Sequence, residues 1–219
     1  MTITMRYSSM HVMAFVRRTA LQALGLVTLA TSVSAQSADS SSWRLGASAG
    51  AFMPRSALIK AADGRNTTLD AGPAFALDIQ YLTSTSVAIY GNFFTAGSAI
   101  TLGSAIQPDA VGPSNQVLLL GGTAGVLFSP GSGNLRWTLR AGGGFKGYMF
   151  DLTGAEDQWR PTVDIGVGFR GGSGPIGVSA EVRYLGSSFD QSKLPIRGIT
   201  AQDQQQNDLF FAVGITIRP

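Results

Sequence analysis

The chain has 219 residues, enough for one ordinary domain with a sizeable core, and a hydrophobic fraction of 44% beside only 13% charged residues. Soluble globular chains carry about 25% charged residues, so this balance argues against a surface covered by water alone. There is no cysteine, which excludes a disulfide framework and a thiolate metal site.

The first element is a secretory signal over residues 1–35. Arg17 and Arg18 form a positive patch, Ala20 to Ala30 is an apolar run, and Val33-Ser34-Ala35 supplies a small-x-small cleavage site before Gln36. The run is short of the roughly 20 residues a membrane-spanning helix needs. Met5, Met10 or Met13 could equally serve as the start. The arginine pair also permits a twin-arginine reading, but its flanks fit that pattern poorly and a barrel must cross the inner membrane unfolded. Cleavage removes Arg6, Arg17 and Arg18, so the 16 basic residues fall to 13, equal to the 13 acidic ones. The mature chain is formally neutral, and the basic isoelectric point gives no ground for nucleic-acid binding.

A short linker, residues 36–42, leads into segments that alternate with period two, the mark of strands with two different faces. Eight are predicted: 43–52, 72–82, 86–96, 116–128, 135–147, 160–170, 176–186 and 208–218. In the first two the apolar face is Trp43, Leu45, Ala47, Ala49 and Ala51, then Phe75, Leu77, Ile79 and Tyr81. The third, with Val87, Ile89, Gly91 and Phe93, is less clean. The fourth is apolar on both faces around Leu118-Leu119-Leu120. In the fifth, Leu135, Trp137, Leu139 and Phe145 oppose Arg136, Thr138, Arg140 and Lys146. The sixth sets Val163, Ile165, Val167 and Phe169 against Asp164 and Arg170; the seventh sets Val178, Ala180, Val182 and Tyr184 against Glu181 and Arg183. The eighth sets Leu209, Phe211, Val213 and Ile215 against Asp208 and Arg218.

Short links (83–85, 129–134, 171–175) alternate with long ones (53–71, 97–115, 148–159, 187–207). An outer-membrane barrel has this arrangement, with tight periplasmic turns and long outside loops. The predicted fold is therefore an all-β, eight-stranded antiparallel up-and-down transmembrane barrel over residues 43–219. Running the strands alternately up and down places Trp43, Tyr81, Trp137 and Phe169 at the periplasmic rim, and Phe93, Phe145, Tyr184 and Phe211 near the outer rim, as two aromatic girdles. A soluble barrel turns the same faces inside out. The polar face here is rich in Gly, Ser and Ala with scattered charges, and only Lys60, Lys146 and Lys193 occur after the signal. That composition suits the crowded lumen of a narrow barrel.

On this architecture, and on the closing strand Asp208-Leu209-Phe210-Phe211-Ala212-Val213-Gly214-Ile215-Thr216-Ile217, the chain resembles the small eight-stranded outer-membrane proteins typified by the OmpA transmembrane domain, OmpX and OmpW. Such closing strands usually end in an aromatic residue; this one ends Arg218-Pro219. The resemblance implies assembly by the barrel-assembly machinery, lipid and lipopolysaccharide as partners, and a monomeric state; no OmpA-like peptidoglycan-binding domain is expected, because the sequence stops with the barrel.

Chemically, the strongest statement is an absence. The single histidine, His11, lies in the signal, so the mature chain lacks the commonest general base and metal ligand. No enzyme activity, catalytic residue, metal or cofactor is expected. Gly166-Val167-Gly168-Phe169-Arg170-Gly171 matches G-x-G-x-x-G, but a turn and a strand follow where a dinucleotide site needs a helix. Gly142-Gly143-Gly144 likewise lacks the Lys-Ser/Thr of a phosphate loop. The inward charges Arg44, Asp78, Arg136, Arg140, Lys146, Asp164, Arg170, Glu181, Arg183, Asp208 and Arg218 read as a paired network plugging the lumen, with a selective conduit as the alternative. A narrow OmpW-like channel for small solutes would use Leu118, Leu120, Val126 and Phe128 as its lining, and a soluble periplasmic ligand-binding barrel is a third reading. The long loops, among them Asp63-Gly64-Arg65-Asn66 and Ala201 to Asn207, are expected to be solvated surface.

Overall fold

A computed structural model describes residues 42–107, 115–131, 133–172, 174–198 and 200–219. The signal peptide with His11, and all of the linker but Ser42, lie outside them. The elements are β1 (Trp43–Pro54), β2 (Thr68–Leu69), β3 (Gly72–Leu82), β4 (Val87–Thr101), β5 (Gln116–Phe128), β6 (Leu135–Asp151), β7 (Gln158–Gly171), β8 (Ile176–Asp190) and β9 (Asp203–Ile217). A single 3-10 turn, Gln191–Lys193, follows β8.

Eight of these strands pair antiparallel in the cyclic order β1-β3-β4-β5-β6-β7-β8-β9, and β9 returns to β1 along Leu45↔Ile217 to Pro54↔Asp208. No edge among them is left to pair with another chain, which is how closure disposes of exposed backbone donors and acceptors. β2 is a two-residue strand lying on the far end of β4.

Alternation decides which side chains meet which medium. Along β6 and β7, Leu135, Trp137, Leu139, Phe145, Val163, Ile165 and Val167 point outward and are exposed, while Thr138, Arg140, Lys146, Thr162 and Asp164 point inward and are buried. Every predicted parity holds except in the alternative lining: Leu118, Leu120, Val126 and Phe128 face outward. Val117, Leu119, Thr123 and Leu127 take the inner face of β5. An all-apolar strand gives period two no contrast to read, and neighbouring strands fixed its sense instead.

The outward apolar band on β6 runs from Leu135, 69% exposed, to Phe145, 60% exposed. Ten residues at about 3.3 Å each, tilted by about 40°, span roughly 25 Å, the height of the apolar band on a membrane barrel. Large side chains bared over such an area suit lipid, not water. The strands outrun this band. β6 continues to Asp151, β8 to Asp190, and β9 begins at Asp203, so the predicted long-loop segments 148–151, 187–190 and 203–207 are ladder instead. Pairs such as Ser187↔Gln206 and Ser188↔Gln205 carry the sheet onward, because backbone bonding continues wherever two strands stay in register, whatever the side chains.

Candidate functional site: a lumen filled in layers

The short turns close one end of the barrel. Thr83 N–H donates to Val87 carbonyl at 3.0 Å, Gly172 N–H to Asn134 carbonyl at 2.9 Å, and Ser129 N–H reaches across to Ser86 carbonyl at 2.7 Å. Gly131 at φ 95° and Gly172 at φ 140° adopt backbone that L side chains rarely accept. Just outside this end sit two cross-strand aromatic pairs: Trp43 with Tyr81, ring centroids 5.0 Å apart, and Trp137 with Phe169 at 3.8 Å. All four are exposed.

Inside, the middle of the lumen holds a charge cluster centred on Arg140 and Asp164. Arg140 donates to Asp78 Oδ1 at 2.9 Å and to both Glu181 oxygens at 3.1 Å, and lies 3.7 Å from Asp164. Asp164 is fully buried and accepts from Arg183 at 3.1 and 2.8 Å, Thr123 at 2.7 Å and Tyr90 at 3.0 Å. Arg140 also covers the Tyr90 ring at 4.1 Å, and Arg183 lies between the rings of Phe94 and Phe210 at 5.6 and 5.3 Å. Six strands thus contribute to one network, which satisfies the rule that buried charges must be paired. Of the inward charges singled out in the sequence, Asp78, Arg140, Asp164, Glu181 and Arg183 lie together in this cluster. Tyr90 and Thr123 were missed; inward parity was the available signal for Tyr90, while β5 offered none for Thr123.

The glycines of the inner face make this possible. A Cβ on Gly166 would stand 2.9 Å from Arg140 Cγ and Cδ and 3.0 Å from Arg183 Cγ, and one on Gly142 would stand 2.4 Å from the Tyr90 hydroxyl. The G-x-G-x-x-G match therefore marks room for guanidinium stems, not a nucleotide cradle.

Above the charge cluster the lumen turns apolar. Phe52, Phe94, Leu119, Leu185, Phe189 and Phe210 are all buried there. Lys146 and Asp208, both fully buried, pair within this layer, and Lys146 lies 5.1 Å from the Tyr148 ring centre. Among the described residues, the remaining predicted charges, Arg44, Arg136, Arg170 and Arg218, make no ion pair with a carboxylate. Arg170 donates to Gln80 at 2.9 Å, and Arg136 donates to the Gly133 and Thr85 carbonyls.

The long loops are exposed at Asp63 to Asn66, the solvated surface expected, but beneath it they form a packed cap. Leu58, Ile59, Ile106, Leu152 and Leu194 are buried in one cluster with the apolar layer beneath. Ser104 N–H donates to Arg65 carbonyl at 3.1 Å, Gln107 N–H to Pro195 carbonyl at 2.9 Å, Glu156 N–H to Lys193 carbonyl at 2.8 Å, and Gln191 Nε2 to Leu58 carbonyl at 3.2 Å. All four loops are tied. Their apolar residues come in runs of three at most, too short for a periodic signal. Ser104 Oγ donates to Asp63 at 2.7 Å; with that bond first, then the Arg65 backbone N–H and guanidinium, the Asp63 carboxyl is held down at about 2. The Ser192 hydroxyl and N–H lower Asp190 in the same way, and Glu156 raises the Lys193 ammonium.

The outer girdle contains Phe93, Phe145 and Phe211, all exposed, and the half-buried Tyr184, whose hydroxyl donates to Asn207 at 2.5 Å. Trp159, 54% exposed, joins them. It lay within a predicted loop and so escaped the sequence reading.

No protein-family model matches the chain, and no curated protein matches it in sequence. Among solved structures it is similar to Neisserial surface protein A, with 14% identity and a TM-score of 0.54 over 82% of this chain and 98% of that one. It is also similar to the outer membrane protein OprG from Pseudomonas aeruginosa, with 12% identity and a TM-score of 0.49 over 81% and 96%. The fold is that of the small eight-stranded outer-membrane β-barrels.

Proposed function

We propose that the protein is a non-enzymatic, non-conducting barrel of the outer membrane, exported through its signal and working as a structural or surface-interaction element. One observation carries the reading. The lumen is occupied at successive levels by paired charges, by buried aromatic and aliphatic side chains, and by the interlocked loops. Eight strands enclose room for side chains or one small ligand, and here side chains take it. A held cap is a fixed platform, with Arg55, Lys60, Asp63 and Arg65 exposed on it. Lipopolysaccharide beside the barrel, and a macromolecule above it, are the partners such a platform suits.

The groups that come nearest to a nucleophilic cluster, Lys146, Tyr148 and Ser187, are buried, and Ser187 Oγ lies 3.3 Å from the Tyr148 hydroxyl. A substrate has no approach to them, which supports the non-catalytic reading.

Planar-bilayer recording tests the proposal. Purified protein should give no steady single-channel conductance, and Arg140→Ala should lower stability without opening a pore. Stable ohmic openings in the unaltered protein would contradict it.

A further inference from the structure

At the turn end of the lumen four guanidiniums share one layer. Leu45 is opposite Ile217 in the β1–β9 ladder, so the same register sets Arg44 beside Arg218. Across the barrel Arg136 is opposite Arg170 in the β6–β7 ladder. The two pairs converge, because Arg170 crosses the lumen to donate to Gln80, the residue opposite Arg44 on β3. Arg44 is within electrostatic reach of the other three.

The layer holds no carboxylate of its own. Asp78 and Glu181, one step inward, are within electrostatic reach of Arg170, but their ion pairs are made with Arg140. Deeper in the lumen, Arg140, Arg183 and Lys146 face Asp78, Asp164, Glu181 and Asp208, so the excess of positive charge lies at the mouth. Among the described residues Arg44 and Arg218 make no ion pair, and Arg170 keeps Nε and Nη1 buried without a hydrogen-bond partner. A plug made only for stability would interleave signs, as the cluster above it does.

We propose that this mouth binds a phosphate-type oxyanion. Planar guanidiniums with free donors on several sides are the arrangement that grips phosphate oxygens, often in bidentate fashion, and their mutual repulsion is relieved when a multiply charged anion enters. Arg44, Arg136 and Arg170 share the lumen parity of their strands, and Arg218 follows β9 in the same alternation at the rim. The ligand therefore enters from the aqueous side, as a free phosphate or as a lipid headgroup folding around the rim.

Two probes separate those sources. The barrel in a phosphate-free maltoside micelle is titrated with inorganic phosphate and pyrophosphate by calorimetry, and the barrel released from phosphatidylglycerol nanodiscs is examined by native mass spectrometry for retained lipid. The double variant Arg44→Gln/Arg218→Gln removes the two partnerless charges, and Arg65→Gln at the loop cap is the control. Cold and heated gel migration verifies that each variant is folded; should the double variant fail, Arg218→Gln alone replaces it. Saturable binding that weakens at least about tenfold in the mouth variant and not in the control, and that fades with added salt, supports a free-oxyanion site. Lipid retention lost in the mouth variant, without binding of the free anions, supports a headgroup site. Neither probe binding, or equal binding by the mouth variant, overturns the proposal.

Discussion

Arg140 is the side chain on which the lumen turns, since three carboxylates face it and two, Asp78 and Glu181, make their ion pair with it. Replacing it with alanine leaves Asp78 and Glu181 inside without that partner, a loss of about 3–5 kcal/mol, to be read by urea unfolding in micelles. Arg140→Met with Asp78→Asn and Glu181→Gln should recover much of that loss, because it is the orphaned charge that costs. Gly166→Ala should also destabilise, by steric conflict with Arg140 and Arg183. Asp63 offers a pH readout. Its folded carboxyl titrates at about 2, below the unfolded value of about 3.9, so its tether to Ser104 is complete above pH 4 and lost as pH falls toward 2. Carbon-detected titration of the Asp63 carboxyl should give that low midpoint, and Ser104→Ala should raise it. A midpoint near 4 in the unaltered protein would mean the tether is not made. The parity of these residues was legible in the sequence, since each charge sits two, four or six positions from the next on one face. Which charge meets which was not legible, because partners across the lumen depend on the stagger of eight strands, a quantity no single segment encodes.

The strands show where local reading succeeds and where it stops. β3 and β5 occupy the spans predicted from alternation and flanking turn residues. β6, β8 and β9 run on past their apolar bands into Gln, Ser and Asp, whose composition signals loop. Register overrides composition there, as the Ser187↔Gln206 pairing shows. The cap has the opposite character: it is polar in sequence and held by a few buried apolar residues. Ile106→Asp, placed in the apolar cluster and at the bridge to Ile196, should release the loops. Brief protease treatment of intact cells should then cut within 102–107 and 191–202 in the variant and spare the unaltered protein. Equal cleavage of both would show that the apolar cluster does not hold the cap.

Taken entire, the chain reconciles a high apolar content with little charge by turning its core inside out. Large hydrophobic residues lie on the outer face between two aromatic girdles, and charged ones lie within. That inversion was legible from composition joined to periodicity. The inward face was half legible: its charges announced themselves, but Phe52, Phe94 and Phe210, though on the inward parity of their strands, gave no sign of packing into one apolar layer, and Phe189 lay in a segment read as loop. Everything rests on the claim that lipid covers the band through Leu139, Val167 and Val213. The chain has no cysteine, so single cysteines at those three positions and at the turn residue Thr83 can each carry a spin label. In liposomes, collision with dissolved oxygen should exceed collision with a polar nickel complex at the three band sites, and the order should reverse at Thr83. Preference for the nickel complex at Leu139, Val167 and Val213 would mean that water touches the band, and the membrane assignment would fall with it.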